Sequence, residues 1–348
     1  MTLTERGKVV AGVVGVLVLA LVGVGVLAFT GNAPGPLQRA FNAVVDGQTP
    51  CPLTGDTLAG DRDAPDRPAV AIKVENTRDA YPLSGLNRAD VIYEEPVEGG
   101  ITRFVAIFQC RTATRVGPVR SARTTDPKIL VQYTDGPILA FSGAAKAVNR
   151  AVEAADIVAL TESSATAAFE RDERRVAPHN LYASVPRLSK AAIVAGAEGT
   201  MPREVFTFDA DGARGKHRSV ATITFSAAVT AEWHWEGGEW VRYLDGAPML
   251  LEDGMPITAT NLVVQEIEIG VSDIIDASGS HSPTVDLTGN GRAWILRDGR
   301  LILGRWLRPG LGDLTVFETK RGERITLAPG RTFVSLVPSD AGEVAFEK

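Results

Sequence analysis

One uncharged run near the start of the chain limits what the rest can be. Residues 9–29 hold 21 consecutive uncharged positions, mostly Val, Leu, Gly and Ala. A helix of that length is about 30 Å long, the thickness of the hydrocarbon core of a bilayer. No polar face interrupts the run, as a soluble amphipathic helix would require. Arg6 and Lys8 precede it, and the next basic residue is Arg39. That asymmetry predicts a cytoplasmic segment over 1–8, a transmembrane helix or uncleaved signal anchor over 9–29, and an extracytoplasmic bulk. The alternative is a cleaved signal peptide, whose apolar region is usually about 7–15 residues and ends in small residues. The candidate cleavage site is Gly31-Asn32-Ala33.

The 348 residues are 45% hydrophobic, enough for a sizeable core. A net charge of −6 leaves no overall basic footprint, so nucleic acid is not an expected partner. Residues 30–67 are rich in Gly, Pro, Asp and Ala and read as a linker and leading strap. The chain has two cysteines, Cys51 and Cys110. Outside the cytoplasm they are candidates for one disulfide, with two buried thiols as the alternative. Neither follows the apolar run closely enough to carry a lipid.

The fold class expected is α+β or α/β. Over 68–200, short apolar runs at 69–74, 91–93, 102–109, 137–141 and 157–160 read as strands. Residues 125–133, 144–155 and 185–195 read as helices. Gly99-Gly100 between two β-rich runs predicts an antiparallel pair. Over 201–340 the pattern turns mostly β, with Gly-bearing turns. Asp298-Gly299, set between Trp294-Ile295-Leu296-Arg297 and Arg300-Leu301-Ile302-Leu303, is the strongest hairpin signal. This half is expected to form a sandwich or open barrel. Trp233, Trp235 and Trp240 flank one turn and are expected to pack its core, with sugar stacking as the alternative.

Five segments resemble a known bacterial family, the YerB-like envelope lipoproteins. They are Ala89-Asp90-Val91-Ile92-Tyr93-Glu94, Val97-Glu98-Gly99-Gly100-Ile101-Thr102-Arg103-Phe104, Val116-Gly117-Pro118-Val119-Arg120-Ser121-Ala122-Arg123, Ala177-Pro178-His179-Asn180-Leu181-Tyr182 and Pro329-Gly330-Arg331-Thr332-Phe333-Val334. The likeness covers residues 52–338. It implies two subdomains that belong together on the cell envelope and brings no established reaction. Members are commonly lipoproteins, and here a protein span stands in the place of the lipid. Ala144-Ala145-Lys146 also replaces the more polar loop expected after Ser142-Gly143.

Three constellations bear on chemistry. Arg103, Arg120 and Arg123 sit beside strand ends, with Ser121 between two of them and His179-Asn180 in a loop. Guanidinium forks bind carboxylate or phosphate bidentately, so convergence would make an anion site. Its ligand would be a cell-wall polymer, a lipid head group or an acidic protein. The bland alternative pairs these arginines with Asp90, Glu94 and Glu98. Second, Glu94 and Glu98, with Glu95 between them, would share a side in an extended segment. Two carboxylates near a groove are what glycan cleavage needs, which makes a peptidoglycan-cleaving enzyme the alternative function. Third, Ser121 or Ser142 with His179 lacks the Gly-x-Ser-x-Gly elbow of a nucleophile. His217, His234 and His281 lack zinc-ligand spacing, and no phosphate loop or dinucleotide fingerprint occurs, so no metal or cofactor is expected.

Overall fold

The computed structural model describes residues 50–57, 67–197, 202–212, 214–276 and 279–348. The expected span over 9–29 lies outside the described residues. Among them, no helix is long and apolar enough to cross a membrane.

The first half carries β1 (Val70–Glu75), β2 (Val91–Pro96), β3 (Thr102–Phe108), α1 (Thr125–Leu130), β4 (Ile138–Ala140), α2 (Lys146–Ala154), β5 (Val158–Leu160), β6 (Phe169–Arg171), β7 (Leu181–Ala183) and α3 (Val185–Val194). The second half adds β8 (Lys216–His217), β9 (Val220–Thr224), β10 (Thr230–Glu236), β11 (Glu239–Leu244), β12 (Ala247–Pro248), β13 (Thr258–Ala259), β14 (Asn261–Ile267), β15 (Ile269–Ile275) and β16 (His281–Val285). It ends with β17 (Gly289–Arg297), β18 (Arg300–Arg308), β19 (Val316–Glu318), β20 (Thr332–Pro338) and β21 (Glu343–Glu347). The fold is mixed α+β and mostly β.

Both halves build one sheet. Its order is β19-β18-β17-β14-β20-β2-β3-β1-β4-β5, with β8 on β18. The seam is a parallel pairing of β2 with β20, in which Val91 faces Thr332 and Tyr93 faces Val334. A smaller sheet, β12-β11-β10-β9-β21 with β13 on β11, comes from the second half alone. The expected self-contained sandwich or barrel is therefore replaced by two stacked sheets, the larger shared with the first half. The cause is β20, whose seven residues are all buried and which pairs on both edges, with β14 and with β2.

Strand alternation explains the layers. Val70, Ile72, Phe104, Leu262 and Phe333 share a core with Ile223, Trp233 and Trp240 of the small sheet and Leu188 of α3. From the opposite face Ala71, Val105, Val263, Ile295 and Val334 meet Ile129 of α1 and Val148 and Val152 of α2. Val148 and Val152 stand four apart, one stripe of a helix. Trp233 and Trp240 are fully buried and Trp235 is packed against the same core, as core packing requires. The Asp298-Gly299 hairpin forms, with Arg297 paired to Arg300 and both turn residues at positive φ (53° and 65°).

Cys51 and Cys110 are bonded, with Cα atoms 6.0 Å apart and positions 59 apart in sequence. In the chain-entropy account a loop of that size is worth about 4 kcal/mol. The bridge pins the strap to the end of β3, where Leu53 and Thr54 are buried and Thr54 O accepts the Gly330 N–H.

Candidate functional site: an arginine cleft at the end of the shared sheet

The face of the large sheet that carries Ala69, Ala71 and Val105 changes character at one end. The alternate positions continue as Lys73 and Glu75 on β1, Glu95 on β2 and Arg103 on β3, with Glu75 directly opposite Arg103. Segment 119–123 crosses this end. Arg120 N–H donates to Lys73 O (2.9 Å) and Ser142 N–H donates to Arg120 O (2.9 Å), so the segment is stitched between β1 and the exit of β4. That stitching brings Arg103, Arg120 and Arg123 to one cleft of 680 Å³, with Glu98, Ser121, Ala122, Ala144, Ala145, Val148 and Pro178. The second half closes it with Ile275, Asp276 and Ser282 from the β15–β16 ribbon.

The three arginines are held differently. Arg123 grips Glu98 through Nε (2.8 Å) and Nη2 (2.5 Å) and donates through Nη1 to Ala122 O (2.8 Å) and Ser121 O (3.1 Å). Arg120 Nε stands 3.3 Å from Glu75, whose other oxygen meets His179 Nδ1 at 2.9 Å. Arg103 is buried, 7% exposed, and donates to Ser121 O at 3.3 Å. Among the described residues it has no carboxylate in ion-pair reach. Burial and the neighbouring guanidiniums of Arg123 and Arg120, set against the weaker attraction of Glu98 and Glu75, bring Arg103 down to about 10, so it stays charged at neutral pH.

Glu98 accepts a hydrogen bond from the Ser282 hydroxyl as well as those from Arg123. Burial raises its pKa, but these hydrogen bonds outweigh it and leave the carboxyl below its ordinary value. Such a group is ionised at neutral pH and suited to holding an arginine, not to donating a proton. Beneath the cleft, Lys73 is shared by Glu95 and Asp126 (2.7 Å to the latter), all three fully buried. One ammonium serves two carboxylates there. Burial, set against the attraction of Lys73, pushes Glu95 up to about 7. Asp126 also accepts the Arg123 N–H (2.7 Å), tying this trio to the cleft.

Arg103, Arg120, Ser121 and Arg123 line one cleft, Arg123 also makes the ion pair with Glu98 that the alternative reading expects, and His179 reaches Glu75. Asn180 does not line the cleft. Its side chain accepts from Arg171 (3.0 Å), because the β6–β7 pairing turns it toward β6. Glu94 and Glu98 do not share a side. A 3-10 turn at Glu98–Gly100, with Gly99 at φ 70°, interrupts the extended run, so Glu98 enters the cleft while Glu94 faces the small sheet. There Glu94 accepts two bonds from Arg242 (2.7 and 3.0 Å) and further bonds from Asn76 and Thr102. Glu94 and Glu98 therefore do not form a carboxylate pair in the cleft. Asp90, expected as an arginine partner, accepts the Gln109 and Cys110 N–H groups and pairs with Arg111. Glu75 and Ser282 were not legible as site residues. The only signal for Glu75 is a charge ending the apolar alternation of β1, and Ser282 depends on a hairpin with no marked turn.

A mixed sheet assembled from both chain halves, with a basic cleft walled by both, defines an α+β protein whose halves work as one unit. The chain belongs to the family of unknown function DUF3048. Its N-terminal domain profile matches residues 53–198 and its C-terminal domain profile residues 221–334. A Bacillus subtilis protein named "Putative lipoprotein YerB" is 29% identical over 311 residues, 84% of this chain and 88% of its own length. The crystal structure of YerB protein from Bacillus subtilis superposes with a TM-score of 0.72 at 27% identity, covering 86% of this chain and all of that one.

Proposed function

We propose that the chain is a membrane-tethered extracytoplasmic protein that binds an anionic component of the cell envelope in the arginine cleft. The observation that carries this reading is Arg103, a buried cation with no carboxylate partner beside two arginines that have one each. Leaving a buried charge unpaired is costly, and an anion in the cleft would relieve that cost. The tether is supported by the apolar run over 9–29 and by the lipoprotein name of the relative. A disulfide fits an oxidising compartment outside the cytoplasm.

The test is thermal unfolding of the full chain in detergent against increasing inorganic phosphate and sulfate at constant ionic strength. The midpoint is expected to rise with either anion and to stop rising in Arg120→Ala. A rise that persists unchanged in both Arg120→Ala and Arg103→Gln would place the anion elsewhere. Incubation with peptidoglycan is expected to release no soluble fragments. Release that vanishes in Glu98→Gln would replace binding with glycan cleavage.

A further inference from the structure

The lining of the cleft is mixed in chemistry. It carries three guanidiniums and the Ser121 hydroxyl, which makes no hydrogen bond among the described residues. Ala144, Ala145, Val148, Pro178 and Ile275 line it too, none with a side-chain donor or acceptor, beside the polar Asp276 and Ser282. Ile275 is 54% exposed on a two-stranded ribbon outside both larger sheets. Those five side chains offer nothing to pair a glycan hydroxyl or a peptide amide. An apolar chain would cover them.

The head group can be narrowed by counting charges and donors. Glu75 and Glu98 occupy Arg120 and Arg123, and the rim also carries the Asp276 carboxylate, which accepts the Ser280 N–H (3.0 Å). Arg103 remains to be matched. A carboxylate presents two oxygens and one charge, whereas a phosphate monoester presents three terminal oxygens and more charge, which suits several guanidiniums at once. α2 opens at the same end, its N-terminal residue Ala145 lining the cleft and no side chain capping it. A helix N-terminus adds backbone N–H groups and a favourable dipole for an anion.

We infer that the ligand is a phosphate ester of an apolar chain, its phosphate against Arg103, Arg120 and Ser121 and its first carbons along Ala144, Ala145, Val148 and Ile275. This rests on the anion reading above and goes further by naming the ligand class. Both chain halves are required, since the arginines come from one and Ile275 from the other.

The experiment compares hexyl phosphate, inorganic phosphate, hexanoate and hexanol, all below micelle-forming concentration, by calorimetric titration of the full chain. Hexyl phosphate is expected to bind at least tenfold more tightly than inorganic phosphate, and hexanoate and hexanol more weakly than either. Ile275→Asn, at an exposed ribbon position, is expected to remove most of the gain from the hexyl chain while leaving inorganic phosphate within threefold. Ile275→Ser is expected to do the same. Equal affinities for hexyl and inorganic phosphate, both lost in Arg103→Gln, would overturn the apolar-chain inference and keep the anion site. Hexanoate as tight as hexyl phosphate would overturn the phosphate assignment. No binding of any anion would overturn both.

Discussion

Two buried arginine regions flank the large sheet, and they are built on opposite rules. On the small-sheet side Arg242 and Glu94 form a bidentate pair, and Asn76, Thr102 and the Tyr81 hydroxyl complete the network around them. Charge there is balanced and each carboxylate oxygen of Glu94 has a donor. Over this pair lies a 510 Å³ hollow lined by Tyr81, Tyr243 and Met249. In the cleft on the other side, Arg120 and Arg123 are paired and Asp276 stands on the rim, while Arg103 has no carboxylate within ion-pair reach among the described residues. The comparison separates a charge pair that holds the two halves together from a cluster with capacity left over. Burial of charge alone does not mark a site, whereas an imbalance of charge and donors does.

The comparison breaks most severely at Arg242. Arg242→Ala leaves Glu94 buried and unpaired, and is expected to cost about 3–5 kcal/mol in urea unfolding. A loss under about 1 kcal/mol would mean that the pair is not the balanced lock described. At Arg103 the opposite sign is expected. Arg103→Met removes a buried unpaired cation, so stability should hold or rise by about 1 kcal/mol while anion binding falls at least tenfold. Urea unfolding with phosphate titration on the same samples measures both. Joint loss of stability and binding would make Arg103 a structural residue.

The smallest expected effect is the response to pH. Glu95 stands at about 7 in the folded protein against an ordinary 4.5, and Asp90, raised chiefly by burial, at about 6 against 3.8. Folded-state values above unfolded ones mean that the folded protein binds extra protons between them. Stability from these groups is therefore fully present below about pH 4 and declines as pH rises toward 7. Glu95→Gln is expected to flatten that decline between pH 4.5 and 7, read from urea midpoints across pH. An unchanged slope would show that Lys73 keeps Glu95 ionised throughout.

Much of the local structure was legible in the chain. Each expected helix is present within a few residues, because 125–133, 144–155 and 185–195 carry an apolar stripe or an early proline. The Asp298-Gly299 and Gly237-Gly238 turns were legible because two-residue hairpins demand residues that accept positive φ. Residues 205–208, an apolar run in the mostly β half, hold only an isolated bridge from Phe208 to Leu327. Their apolar side chains serve as packing for Phe317 rather than as a ladder. Strands β15, β16 and β21 are not legible in the sequence. Their exposed or alternating half-polar faces give little apolar signal, and Pro283 within β16 speaks against a strand. The arginine convergence could be read because those residues flank strand ends. The separation of Glu94 from Glu98 could not, since it turns on the conformation of Gly99.

The position of β20 also sets an order of events. Until residues 332–338 have been synthesised, the outer edge of β2 has no neighbour, although its six residues are buried in the finished protein. A newly made first half therefore presents an open, apolar strand edge for as long as about 140 further residues take to follow. Such edges recruit other chains. A strand made well after the first half is complete is the one that shields it from its own copies.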